Sequence, residues 1–178
     1  MTPAERAARL RMMVFDVDGV LTDGRLYIGA QGEVTKAFDV RDGHGIKLLR
    51  EAGLTVALLT ARSSEIVVQR AKELGIELVR QGQRDKLAGF EQLLADTGLH
   101  PEQCGYMGDD WPDLPVLKRA RLAATVADAC AECKALAHWV STAPGGRGAV
   151  RELAELIVRA QGKYDELLAR HTDGRSHA

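Results

Sequence analysis

Apolar residues along the chain fall into two kinds of run, and the two kinds alternate. Short continuous runs at Met12–Phe15, 54–60, 76–79, Cys104–Met107 and 122–126 predict buried strands, with a last short one at 138–140. Between them apolar residues recur at three- and four-residue spacing, which predicts helices. Residues 42–52 carry Ile46, Leu48 and Leu49 on one face and stop at Gly53, and Ser63 or Ser64 caps a helix that runs to Leu74 and stops at Gly75. Residues 85–97 turn Leu87, Phe90, Leu93 and Leu94 inward; 114–119 is helical; 148–161 turns Val150, Leu153, Leu156 and Ile157 inward. The first interval differs: residues 24–40 read as a β-hairpin, with 26–28 and 34–40 joined by 29–32. Strands alternating with helices predict an α/β fold, a doubly wound, Rossmann-like parallel sheet carrying a β-hairpin insertion. The expected organisation is a single domain over 12–170, with flexible termini at 1–11 and 171–178.

The stretch "FDVDGVLTDG", residues 15–24, adds charge to that frame. Strand side chains repeat every two residues, so Asp16 and Asp18 leave the first strand on the same side if strand geometry persists. Two carboxylates held close repel unless a cation or a shared proton offsets them. In doubly wound sheets ligands sit beyond the carboxyl ends of the strands. That rule brings Thr60, Asp109 and Asp110 to the same rim, with Lys86 at the start of a helix that follows a strand. Carboxylates, a hydroxyl and a lysine together suit phosphoryl transfer with Mg²⁺, which takes hard oxygen ligands and keeps several waters. In that chemistry Asp16 attacks phosphorus and forms an aspartyl-phosphate, while Asp18 protonates the leaving alcohol and later takes a proton from water. Thr60 donates a hydrogen bond to a phosphoryl oxygen, and Lys86 offsets charge gathered in the transition state.

Four segments in order, "DVDGVLTDG", "LLTAR", "RDK" and "GDDWPD", resemble the motifs of the haloacid dehalogenase superfamily of phosphatases. The resemblance implies Asp16 as nucleophile, Asp18 as acid/base, and Thr60 with Lys86 as the phosphate-binding pair. It implies a Mg²⁺ site made by Asp16, Asp109 and the backbone carbonyl of Asp18, with Asp110 and Asp113 as outer partners. A narrower similarity spans residues 13–162: "FDVRDGHGIKLL", "LLTARSSEIVVQRAKELGI", "QGQRDKL" and "APGGRGAVRELAELIVRAQGK" resemble the 3-deoxy-D-manno-octulosonate 8-phosphate phosphatases. These belong to lipopolysaccharide biosynthesis. They lack a large cap domain and form homotetramers whose hairpins associate, so that active sites lie at subunit interfaces. Substrate contacts are then implied at Asp18, Asp39, Val40, Arg41, Asp42, Gly43, Lys47, Arg62, Arg70 and Lys86. The substrate is a sugar acid carrying a phosphate and a carboxylate, both suited to arginine forks. Lys47 departs from the pattern: relatives often have arginine there, and lysine loses the bidentate geometry. Asp42 doubles as a candidate N-cap, and "PGGRG" (144–148) and the tail are implied to shape the site between subunits.

The totals narrow the alternatives. The chain has 178 residues, a net charge of −1 and 46% hydrophobic residues, which suits one soluble domain with no global field to collect nucleic acid or an anionic membrane. No apolar run has membrane-spanning length, and residues 1–11 lack the apolar core of a secretory signal, so a cytoplasmic address is expected. Cys130-x-x-Cys133 has no second pair and is expected to be reduced thiols without a role, and none of the five histidines is assigned to metal. A phosphatase for a nine-carbon, sialic-type sugar acid 9-phosphate shares the same core motifs. A receiver-like signalling domain gathers similar groups but carries its phosphorylated aspartate on a later strand, and a catalytically silent scaffold lacks the central groups that are present here.

Overall fold

A computed structural model describes residues 1–173. The chain runs α1 (Pro3–Ala7), β1 (Met12–Phe15), β2 (Tyr27–Gly29), β3 (Gly32–Thr35), α2 (Val40–Glu51), β4 (Thr55–Leu59), α3 (Glu65–Glu73) and β5 (Leu78–Arg80). It continues through α4 (Lys86–Thr97), β6 (Cys104–Met107), α5 (Leu114–Arg119), β7 (Leu122–Thr125), α6 (Ala131–Leu136), β8 (Trp139–Val140), α7 (Ala149–Ala160) and α8 (Tyr164–Thr172). Six strands form one parallel sheet in the order β5-β4-β1-β6-β7-β8, and β2 with β3 makes a separate antiparallel hairpin. From β1 the chain builds outward through β4 and β5, then returns to β6 on the other side of β1. The carboxyl ends of β1 and β6 therefore form the switch point where such sheets bind ligands.

The central strands read as unbroken apolar runs because both faces are covered, and β1, β6 and β7 are buried along their whole length. One group of helices centres on α2 against α7, with α1 and α8 beside α7; α4, α5 and α6 form the other. The strongly amphipathic α7 buries Val150, Leu153, Ala154, Ile157 and Val158. Val150, Leu153 and Ile157 follow the expected stripe, whereas Leu156 is only half-buried.

Several boundaries differ from expectation, each for a local reason. The hairpin's second strand ends at Thr35 instead of Val40, because Asp39 accepts from the N–H groups of Arg41 (2.7 Å) and Asp42 (3.4 Å) and starts α2 early. Asp42 is therefore not the cap of its own helix. Fully buried, it accepts from Gly148 N–H (3.1 Å) and Arg151 N–H (2.9 Å) and satisfies the free amides that open α7. Residues 1–11 are not a loose terminus: Thr2 and Glu5 form a capping box, Ala7 is buried, and Arg6 donates to the Arg121 carbonyl at 2.8 Å. At the other end α8 extends through Thr172 with Leu167 buried, past the expected boundary at 170; residues 174–178 lie outside the described residues.

The "PGGRG" segment is a clamp on the loop after β1. Gly146 N–H donates to Val20 O at 2.9 Å, and a Cβ on Gly145 would lie 1.8 Å from the Gly19 carbonyl oxygen. Gly145→Ala is thus expected to push the Asp18 loop out of place. Overpacking of this kind typically costs about 1–3 kcal/mol of stability; thermal unfolding would show the loss, and an unchanged Tm would contradict the clamp.

Candidate active site

β1 ends one residue before Asp16, whose own N–H still pairs with Met107 O on β6 at 2.9 Å. The chain then turns. Val17 N–H donates to Asp16 Oδ1 (2.7 Å), and the amides of Leu21 and Thr22 fold back on Val17 O. Strand geometry therefore does not persist to Asp18. Both acids line one cleft but meet different partners, Asp16 facing Lys86 and Asp18 facing Lys36 and Arg62.

The cleft is lined by Asp16, Asp18, Thr60, Arg62, Lys86, Asp109, Asp110 and Asp113, with Gly24, Ala61 and Pro112. Lys86 Nζ sits between Asp16 Oδ2 (2.8 Å) and Asp113 Oδ1 (2.6 Å), with almost no side-chain exposure. Burial works against its charge, yet the two carboxylates outweigh that and raise its pKa. Asp113 organises the loop after β6. Its Oδ1 also accepts from Tyr106 OH at 2.5 Å, and its Oδ2 accepts from the amides of Asp109 (3.0 Å) and Asp110 (3.2 Å). Thr60, at the end of β4, is buried with its N–H on Arg80 O (2.9 Å). The turn at Gly19 (φ +91°) passes so close to Asp109 that a Cβ there would lie 2.1 Å from Oδ2.

Carboxylate oxygens of Asp16, Asp109 and Asp113 lie within 4.8 Å of one another. Burial, then the nearby Asp113, pushes Asp16 up to about 7 despite Lys86. Burial, then Asp16 and Asp113, pushes Asp109 up to about 8. One lysine does not neutralise this much negative charge. Asp113 already accepts four hydrogen bonds, whereas Asp16 has one partner at each oxygen and keeps lone pairs for a further one, and a hard divalent cation with an oxygen-ligand preference fits Asp16 and Asp109.

The cluster has a thermodynamic consequence. A carboxyl raised in the fold contributes stability that is full below its unfolded value, near pH 4, and is lost as pH rises through its folded value. The metal-free protein therefore gives up stability up to about pH 8, the folded values being about 7 and about 8, while a cation favours the ionised pair. Mg²⁺ is expected to raise Tm more at about pH 8.5 than at about pH 6. Equal increments would contradict the assignment of the cluster to a cation.

The other expected substrate residues are not all gathered here. Val40, Gly43, Lys47 and Arg70 line a second groove with His44, Glu73 and Leu74, which shares no residue with the Asp16 cleft. Arg62 precedes α3 while Arg70 lies in its last turn, stacked over the Phe38 ring at 5.6 Å. Asp39 caps α2 and pairs with Arg41 at 3.3 Å, and Arg41 reaches Arg147 O at 3.3 Å.

No protein-family model matches the chain. The 3-deoxy-D-manno-octulosonate 8-phosphate phosphatase of Yersinia pestis is 47% identical over 161 residues, covering 90% of this chain and 86% of that protein. Its counterpart from Escherichia coli K12 is 44% identical over the same lengths. This chain belongs to the 3-deoxy-D-manno-octulosonate 8-phosphate phosphatase family. The family sits within the haloacid dehalogenase superfamily, as the four sequence motifs implied. The enzyme from Moraxella catarrhalis, solved with a magnesium ion, a phosphate ion and a KDO molecule, superposes with a TM-score of 0.92. It is 40% identical and covers 95% of this chain and 97% of its own. In the present family member two groups that stand behind the cleft-lining acids escaped the sequence reading. Tyr106 looks like one more apolar strand residue, and Lys36 with Glu33 sits in a hairpin with no motif of its own.

Proposed function

We propose that this protein hydrolyses 3-deoxy-D-manno-octulosonate 8-phosphate to 3-deoxy-D-manno-octulosonate and phosphate, a Mg²⁺-dependent step toward lipopolysaccharide. The observation that carries the reading is the convergence of Asp16, Lys86 and Asp109 at the β1/β6 switch point, in a chain of this family. Asp16 is the nucleophile: an oxygen of its carboxylate, aligned by Val17 N–H and Lys86, bonds to phosphorus as the bond to the sugar oxygen breaks. Asp18 gives that leaving oxygen a proton, then takes one from the water that opens the aspartyl-phosphate and frees phosphate. Thr60 and Lys86 hold the phosphoryl oxygens. Asp16, Asp109 and the Asp18 carbonyl would hold the cation, which supplies positive charge against which two anions can approach. Asp113 acts on this set indirectly, by fixing Lys86 and the two amides after Gly108.

Arg62 lines the same cleft, where it would meet the substrate beyond the phosphate. The remaining proposed contacts, Asp39 at the cap of α2, Val40, Arg41, Gly43 and Lys47 on α2 and Arg70 on α3, lie away from it, which favours an assembly in which one subunit's α2–α3 surface completes another's cleft; Asp42, buried on the α7 amides, would act by holding that surface in place. The hairpin supports this, with Ile28 62% and Val34 64% exposed, an apolar edge that a homotetramer would cover. Three free cysteines suit a reducing, cytoplasmic setting, and no helix among the described residues is long and apolar enough to cross a membrane.

Phosphate release from the eight- and nine-carbon sugar acid phosphates, each with and without chelator, tests the reading. Faster turnover of the eight-carbon ester, lost with chelator, is expected. Preference for the nine-carbon ester would overturn the substrate, and chelator-insensitive release would overturn the metal dependence.

A further inference from the structure

The hairpin segment is exposed almost everywhere except at one side chain. Lys36, just past β3, keeps 1% of its side chain exposed. Its ammonium lies between two carboxylates, Asp18 Oδ1 and Glu33 Oε1, the latter at 2.9 Å. Glu33 is fixed in turn: its Oε2 accepts from Ser64 Oγ at 2.6 Å. Ser64 stands at the N-cap of α3 yet makes no capping hydrogen bond, because its hydroxyl is turned to Glu33. An ammonium loses much hydration on burial and is kept only where partners compensate. Here the two carboxylates of Asp18 and Glu33 supply that compensation. Lys36, Glu33 and Ser64 do not line the cleft; they stand behind Asp18.

We propose that Lys36 is the positioning residue for the acid/base, tying the Asp18 carboxylate through Glu33 and Ser64 to the hairpin and to the start of α3. Proton delivery to the leaving oxygen is thereby coupled to docking of the hairpin. The proposal rests on the assignment of Asp18 to proton transfer made above. Asp18 lies on a turn held at its backbone by the Gly145–Gly146 clamp, so its side chain needs a separate anchor. The next cation is Arg62, 3.8 Å from Asp18 Oδ2 and 3.7 Å from Glu33. Arg62 is far more exposed, at 44%. By neutralising both acids from behind, Lys36 leaves the Arg62 guanidinium available to an anionic substrate. Without Lys36, Asp18 has only Arg62 to turn to, and would swing toward the cleft mouth.

Two small esters of similar size separate positioning of an acid from mere structural support. Benzyl phosphate expels an alkoxide that needs a proton as its bond breaks; p-nitrophenyl phosphate expels a phenolate that does not. The readout is kcat/KM, which covers only the steps through the first phosphoryl transfer. Lys36→Met is expected to lower kcat/KM for benzyl phosphate roughly 10- to 100-fold, part of the 10²–10⁴ a general acid supplies, and that for p-nitrophenyl phosphate less than about 3-fold. Lys36→Arg, which keeps the charge, should recover most of the difference. Glu33→Gln, which loosens the tether and keeps the ammonium, should show a smaller unequal loss and supplies the answer if Lys36→Met does not fold. Equal losses on the two esters for the Lys36 and Glu33 variants, with Asp18→Asn still unequal, would overturn the role of Lys36 and leave that of Asp18. Equal losses for Asp18→Asn would overturn the acid/base assignment itself.

Discussion

Asp16→Asn is expected to abolish phosphate release, by roughly 10³-fold or more, while leaving the fold at least as stable as the wild type. The two halves of this expectation have one origin. Asp16 is 5% exposed beside Asp113 and Asp109, so its ionisation is opposed by burial and by like charge. The amide keeps the shape and removes that charge, and Lys86 still holds Asp113 at 2.6 Å. Phosphate release and thermal unfolding of the metal-free protein at about pH 8, near the raised pKa values, check both halves. Retained turnover would exclude Asp16 as nucleophile. A large fall in Tm would show that its charge supports the fold after all.

Asp113→Ala is expected to damage both stability and activity. The carboxylate is fully buried and accepts from Lys86, Tyr106 and the amides of Asp109 and Asp110. Its removal leaves a hydroxyl and two amides without their acceptor, and leaves the Lys86 ammonium with Asp16 alone. Breaking a buried ion pair from one side costs about 3–5 kcal/mol. Tyr106→Phe removes only one of the four donors and should cost about 1 kcal/mol. Urea unfolding of the two variants gives the comparison, and similar small losses would contradict the central place of Asp113. Activity should fall in Asp113→Ala even where the protein is folded, because Lys86 and Asp109 both lose their support.

The sheet was legible because its strands are apolar on both faces, and the acids of the cleft because they follow those strands directly. Asp16, Thr60, Lys86 and Asp109 converge as strand-end geometry predicts. Other features depend on contacts between distant segments. Asp42 reads as a cap for its own helix, yet it serves the helix that begins more than a hundred residues later. Ser64 has the right place for a cap and spends its hydroxyl on the hairpin. Tyr106 carries its polar atom at the end of a ring inside an apolar strand, where periodicity sees only the ring. Helix α1 is short, and its capping box and its hold on Arg121 outweigh an alanine- and arginine-rich composition that looks frayed. The separation of Arg70 and Lys47 from the cleft lies beyond sequence patterns too, because spacing along α3 does not say which face of the assembled protein each residue reaches.

The most direct test of the central claim is chemical capture of the intermediate. Enzyme in steady turnover with Mg²⁺ is quenched in acid, reduced with borohydride and digested, and the peptide bearing residues 15–24 is followed by mass spectrometry. A phosphorylated aspartate reduces to homoserine, and that conversion is expected at Asp16 and at no other aspartate. Conversion at Asp18 or Asp109, or none under conditions where the intermediate accumulates, would contradict a mechanism that passes through Asp16.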